Sequence, residues 1–173
     1  IVTFYDLCGH EKYLKTTIYG LSLCSPDYTL VMVGANMGIT HMTKEHIFAC
    51  MALKIPFIII ITKIDLCPIN ILKQTEKDIK RLIKTYNSNK IIKEIKESND
   101  LIEVVKNISD VKQIPLFKIS NVSGNNIEHI KKFFNLLPKR TFYQKDQLVE
   151  FFIDKIYQIT GCGTVLSGLL KSG

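Results

Sequence analysis

Several things are missing from this 173-residue chain, and each absence removes a class of function. The longest apolar run, Ile55 to Ile61, falls far short of the roughly 20 residues that cross a bilayer. The first residues show no basic stretch leading into an apolar segment and a cleavage site, so no secretory leader is expected. The five cysteines (Cys8, Cys24, Cys50, Cys67 and Cys162) are odd in number and include no C-x-x-C pair. That pattern points to reduced thiols in a cytoplasmic protein rather than a disulfide framework. Together with the four histidines they offer no zinc spacing. There is no internal repeat and no low-complexity tract. The chain does not begin with Met, and a cut or processed end is expected there.

What remains is the composition of a globular domain, 46% hydrophobic and 23% charged, with one main core. The net charge of +7 is unevenly placed. Up to Asn70, Lys12, Lys15, Lys44, Lys54 and Lys63 cancel Asp6, Glu11, Asp27, Glu45 and Asp65. The excess therefore lies after Asn70. It reads either as an RNA-facing surface or as a solvated, lysine-rich helix face.

Along the chain, Ile1–Tyr5 reads as a strand running into a loop at Asp6, and His10–Leu21 as an irregular loop and short helix. Tyr28–Val33 and Phe57–Thr62 are apolar, β-branched runs of the kind found in parallel strands covered on both faces. Thr40–Leu53 has helical periodicity, with Thr40 or Thr43 as its cap. Pro68–Thr85 is amphipathic. Tyr86–Val111 reads as an insertion at the domain edge, with a helix at Lys90–Lys96 and a β-prone patch at Leu101–Val105. Leu116–Ile119 is a further strand and Ile127–Leu137 a closing helix. This alternation predicts an α/β fold built on a layered sheet. After Pro138 the helical period disappears, and Phe151–Ile153, Lys155–Ile159 and Thr164–Leu170 are β segments punctuated by glycines. They predict the opening hairpin of a separate β domain.

Three loops carry the chemistry. In Asp6-Leu7-Cys8-Gly9-His10, a carboxylate at a strand end precedes a glycine by three residues. The carboxylate can hold a Mg²⁺-bound water, and the glycine backbone N–H can reach a terminal phosphate. In Thr62-Lys63-Ile64-Asp65, a carboxylate at a strand end can accept two hydrogen bonds from guanine, where adenine offers no matching donors. The Lys63 stem can lie along the base. In Ser120-Asn121-Val122-Ser123-Gly124, a backbone N–H can donate to guanine O6, and Ser120 can brace the Asp65 loop. Loops at successive strand ends are where such folds bind ligands.

On these motifs the chain resembles translational GTPases of the elongation-factor family, and in particular the GTP-binding-protein-1/2 subgroup. The stretches Asp6–Leu21, Thr43–Leu72 and Ile119–Leu137 carry the likeness, and Phe151–Gly168 resembles the first strands of the family's second domain. The likeness is weakest over Tyr86–Val111. It implies a P-loop-type GTPase sandwich over residues 1–138, a linker at 139–149 and the start of a β-barrel at 150–173. It implies GTP or GDP with Mg²⁺ as ligands. Asp6 would hold the metal through water, Gly9 would contact the γ-phosphate and His10 would orient the attacking water. Thr62, Lys63 and Asp65 would form the guanine loop, and Ser120, Asn121 and Val122 a second nucleotide-binding loop in which Ser120 braces the Asp65 loop. The ribosome, tRNA or another RNA is the implied partner, with neither membrane nor DNA. His41, His46 and His129 have no motif around them.

Two departures stand out. Thr62 replaces the usual Asn of the guanine motif, which suggests weaker affinity. No G-x-x-x-x-G-K-[S/T] phosphate loop occurs, nor the threonine that completes the metal shell. In the family both lie upstream of the strand at Ile1–Tyr5. The expectation is therefore a GTPase domain lacking its first two strands, inactive by itself. The alternative is a non-catalytic RNA- or ribosome-binding scaffold that keeps the fold.

Overall fold

A computed structural model describes residues 2–108, 113–139 and 145–173. Ile1 of the first expected strand, 109–111 of the edge insertion and 140–144 of the linker lie outside them. The described residues form two compact units. One comprises Asp27–Pro138 with the stretch ending at Asp6; the other comprises Leu7–Pro26 with the residues from Lys139 onward.

The first unit is a parallel sheet of β1 (Thr29–Gly34), β2 (Phe57–Thr62), β3 (Ile91–Glu94) and β4 (Gln113–Lys118). Its spatial order is β1-β2-β4-β3. β2 runs Phe-Ile-Ile-Ile-Ile-Thr, and its first five residues are buried, because neighbours flank it on both edges and helices cover both faces. Each such side chain contributes about 1.5–3 kcal/mol by leaving water. The register Val31↔Ile59 and Ile60↔Phe117 ends β1, β2 and β4 at one edge of the sheet, where the predicted loops begin.

The helices of this unit are α2 (His41–Ala52), α3 (Ile69–Tyr86), α4 (Ser98–Asn107) and α5 (Ile127–Leu136). Thr40 caps α2 by accepting from the Thr43 N–H at 3.2 Å, as the sequence suggested. Ile58, Ile60, Phe117 and Ile119 pack with Leu101 and Val104 of α4, Ile108 just beyond it, and Ile130 and Phe133 of α5. Strand alternation turns Ile59, Ile61, Ile114 and Leu116 to the other face, where Ile79 and Ile83 of α3 are buried. The result is the expected three-layer α/β sandwich.

Two expectations are corrected. Residues 2–9 form no strand. A strand exists through its ladder, and no described strand pairs with this stretch. Val2, Phe4 and Tyr5 are exposed, with the Phe4 ring edge-on to Phe134 of α5 at 5.4 Å. The second correction is an exchange over Tyr86–Val111. The predicted helix at Lys90–Lys96 is β3, and the predicted β patch at Leu101–Val105 is α4. β3 gains a full ladder on β4, from Ile91↔Gln113 to Glu94↔Leu116. α4 is nucleated by a capping box in which Glu97 and Asp100 each accept from the other's backbone N–H. This span is also no mere edge insertion, since Leu101, Val104 and Ile108 belong to the core.

In the second unit a 3₁₀ turn, Glu11–Tyr13, leads into α1 (Leu14–Cys24), with Leu21 buried. The antiparallel pair β5 (Glu150–Ile159) and β6 (Gly163–Ser172) forms the hairpin expected at the start of a β-barrel. Phe151–Ile153 and Lys155–Ile159 join into one strand, and the gap between them is a register shift at Asp154. Gly161 and Gly163 have φ of +85° and +86°, conformations the tight turn requires and side chains resist. Among the described residues no helix is long and apolar enough to cross a membrane.

Candidate functional site

The loops after β2 and β4 are joined by their backbones. The Ile119 N–H donates to the Ile61 carbonyl at 2.8 Å, and the Ile64 N–H donates to the Ile119 carbonyl at 3.3 Å. The parallel ladder thus continues one step beyond the strands and sets Lys63–Asp65 beside Ser120–Val122. The chain then turns sharply. Lys63 adopts φ +59°, ψ +36°, a left-handed conformation costly for a residue with a Cβ, and a 3₁₀ turn, Ile64–Leu66, follows. Backbone strain at a loop tip is commonly kept where it aims a side chain.

Asp65 is exposed, and its carboxylate has no hydrogen bond or ion pair among the described residues. Lys63 is likewise exposed. Ser120 is fully buried, and its hydroxyl accepts from the Val122 N–H at 3.2 Å and the Ser123 N–H at 3.1 Å. Of the three N–H groups after Ser120, only that of Asn121 has no acceptor among the described residues. Ser120 braces its own loop and not the Asp65 loop, contrary to the sequence expectation, because its hydroxyl is engaged by the two N–H groups that follow it. A free carboxylate and a free N–H donor on adjacent, tied loops match the donor and acceptor edge of guanine, so the residues fit that base. Val122 contributes an exposed side chain and a backbone N–H already taken by Ser120.

Thr62 is half-buried, and its hydroxyl donates to the Val33 carbonyl at 3.4 Å. It ties β2 to β1, a tie confined to the sheet. Asp6 is exposed in the irregular stretch of the same unit. Gly9 and His10 are exposed and belong to the second unit. His10 caps the 3₁₀ turn, its Nδ1 accepting from the Lys12 N–H at 3.2 Å. An acceptor at Nδ1 assigns the proton of the neutral ring to Nε2. His10 therefore presents an N–H donor, suited to holding a water rather than deprotonating it.

Three supports of the guanine loops escaped the sequence reading. The Cys67 thiol donates to the Ala35 carbonyl at 3.3 Å, linking the Asp65 loop to the end of β1. The Asn126 amide, from a left-handed residue, donates to the Lys118 carbonyl at 2.8 Å. The run Gly124-Asn125-Asn126 was a legible turn signal for the second. No sequence signal marks the first, because its partners are distant in the chain. The third support is an ion cluster. Lys118 of β4 meets Glu76 of α3 at 2.9 Å and also Glu94 of β3. Burial alone would lower the Lys118 pKa, but its hydrogen bonds and charge pairing with Glu94 and Glu76 outweigh that and raise it. A cleft of about 470 Å³ lies between the β1 loop and α3, lined by Asn36, Met37, Gly38, Asn70, Ile71, Gln74 and Thr75. None of the predicted site residues lines it. Among the described residues no group of His, Cys, Asp or Glu could by itself hold a metal ion.

Ser120 provides a test of loop geometry. Ser120→Ala leaves two N–H groups of a tight turn without their acceptor, at about 1–3 kcal/mol. Weaker guanine-nucleotide binding by the full-length variant, with a lower melting temperature, is the expected result of a titration and a thermal melt.

Comparison with known proteins identifies the family of the chain. Residues 1–158 match the family model for the elongation factor Tu GTP-binding domain. The chain is 44% identical over 173 residues to GTP-binding protein 1 of Xenopus laevis, covering 100% of this chain and 26% of that protein. It is 37% identical over 179 residues to human GTP-binding protein 2, covering 100% of this chain and 30% of that protein. The chain thus spans under a third of the length of these relatives. The crystal structure of translation elongation factor SelB from Methanococcus maripaludis, in complex with the GTP analogue GppNHp, superimposes with a TM-score of 0.62 at 21% identity. That match covers 97% of this chain and 32% of the SelB chain, and shows a shared fold. With the fold, the tied loops and the family match in agreement, this chain belongs to the elongation factor Tu GTP-binding domain family of translational GTPases, with GTP-binding proteins 1 and 2 among its relatives.

Proposed function

We propose that this chain is the base-reading and switch portion of a GTPase that hydrolyses GTP to GDP and phosphate, working on the ribosome, tRNA or another RNA. One observation carries the reading: the Asp65 carboxylate and the Asn121 N–H, both without a partner among the described residues, sit on loops tied by the Ile64–Ile119 hydrogen bond. Asp65 takes the guanine N1–H and exocyclic amine, Asn121 donates to O6, and the Lys63 stem covers the ring. Asp6 would hold Mg²⁺ through a water, the Gly9 N–H would serve as a donor to the terminal phosphate, and the His10 Nε2–H would hold the attacking water. Bound Mg²⁺ would neutralise charge on the phosphates. Residues 1–138 form part of the GTPase domain, 139–149 connect, and 150–173 open the second domain. The last helix ends at Leu136 and the antiparallel pair begins at Glu150, which supports the boundary near 138, whereas Leu7–Pro26 groups with the second unit. No phosphate loop occurs in this sequence, so the chain by itself should not turn GTP over.

The test is competition on the full-length protein. A labelled GDP should be displaced by GTP and resist ATP by roughly 10⁴-fold, as expected when a site built to pair polar groups meets a ligand that lacks them. Equal displacement by GTP and ATP overturns the assignment of Asp65. RNA binding without any nucleotide requirement would instead favour the scaffold reading.

A further inference from the structure

The excess positive charge that the sequence places after Asn70 has a focus on α3. At 3.6 residues per turn, Lys73, Lys77, Lys80 and Lys84 fall within about 60° of arc and along about 16 Å of helix. All four are exposed, and none forms an ion pair among the described residues. The two acids of the helix are diverted. Glu76 turns inward onto Lys118 at 2.9 Å. Asp78 accepts from Gln74 at 2.9 Å and meets Arg81 at 3.6 Å on the flank. The buried residues Thr75, Ile79 and Ile83 occupy the opposite side of the helix. Among the described residues the lysine strip is therefore uncompensated: a tertiary pair draws Glu76 away, and neighbours on the same helix engage Asp78.

We propose that this strip docks the phosphodiester backbone of an RNA. Its lysines are point charges on flexible stems, which neutralise phosphates without reading bases. No aromatic or apolar side chain interrupts the strip, whereas the core of a protein interface is rich in those and poor in charge. About 16 Å is long enough to meet several phosphates of a nucleic-acid strand. This deepens the RNA half of the function proposed above and rests on it. It adds a location: the strip lies on the helix that begins just after Asp65, so RNA would bear on the element that carries on from the guanine loop.

The experiment measures binding of the full-length protein to a labelled RNA hairpin from about 50 to 200 mM salt. Each phosphate contact contributes roughly 0.7–0.9 to the slope of log K against log salt. Replacing the four residues together (Lys73→Ala, Lys77→Ala, Lys80→Ala and Lys84→Ala) should reduce the slope by about 3, so that over this range the wild type loses about 60-fold more affinity than the variant. The variant should bind GDP like the wild type, which separates this result from failure of the nucleotide site. Lys131→Ala with Lys132→Ala, on α5, should leave the slope unchanged. An unaltered slope in the α3 variant overturns the proposal, as does an equal loss in the α5 control. Binding to poly-glutamate with none to RNA assigns the strip to an acidic protein instead, and also overturns it.

Discussion

Asp65→Ala in the full-length protein should weaken GDP binding by about 10²–10⁴-fold, because two hydrogen bonds to a charged group are lost at about 1.5–3 kcal/mol each. The melting temperature of the nucleotide-free protein should stay within error, since Asp65 is exposed and has no partner among the described residues. That contrast distinguishes a ligand contact from a structural one. Asp65→Asn should be more informative still. The amide can donate to the C2 carbonyl of xanthine and no longer accepts from the guanine amine. Preference should shift toward xanthine nucleotides, read out by competition with xanthosine diphosphate. An Asp65→Asn protein that binds GDP as before would remove the carboxylate from the base site.

His10→Ala should slow GTP hydrolysis by roughly 10²–10⁴-fold, the range for a lost positioning or acid–base group, while GTP affinity holds. The residue also caps a 3₁₀ turn through Nδ1, so alanine disturbs the backbone as well. His10→Asn separates the two roles. Asparagine can accept from the Lys12 N–H and restore the cap, yet it presents no ring nitrogen where Nε2 stood. Single-turnover hydrolysis should remain slow in both variants. Turnover restored in His10→Asn would assign the defect to the cap and free the imidazole from its role.

How far the fold could be read from the chain depended on the range of the interactions that make each element. β2 was legible because five consecutive buried positions demand an apolar, β-branched run whatever lies beside it. α2 was legible through Thr40, whose capping bond spans three residues. Ile91–Glu94 and Ser98–Asn107 were exchanged because short segments of mixed Ile, Lys and Glu have little preference of their own. A ladder with β4 made the first a strand, and a capping box with a buried face made the second a helix. Val2–Tyr5 has strand composition but no ladder among the described residues, so composition misled.

The candidate site divides in the same way. Asp65, Lys63 and Ser120 could be named from local motifs, because the chemistry of reading guanine is contained in a few consecutive residues. The supports could not: Cys67 to Ala35 and Glu76 to Lys118 join residues 32 and 42 positions apart. Nor could periodicity alone choose between an RNA surface and an inert solvated face, because the choice depends on where the neighbouring acids point.

The amino-acid order by itself determined which loops carry carboxylate, lysine and serine, that the fold alternates strand with helix, and that the positive charge lies in the later part of the chain. These follow from side-chain chemistry and periodicities of two and 3.6, which act over a few residues. Only the tertiary structure decided that the Asp65 and Ser120 loops are tied side by side, that Ser120 takes two N–H groups and leaves Asn121 free, and that Glu76 is drawn away from its own helix to leave the lysines unopposed. Each of these depends on parallel strand register and on packing between layers, which bring together residues that no local pattern connects.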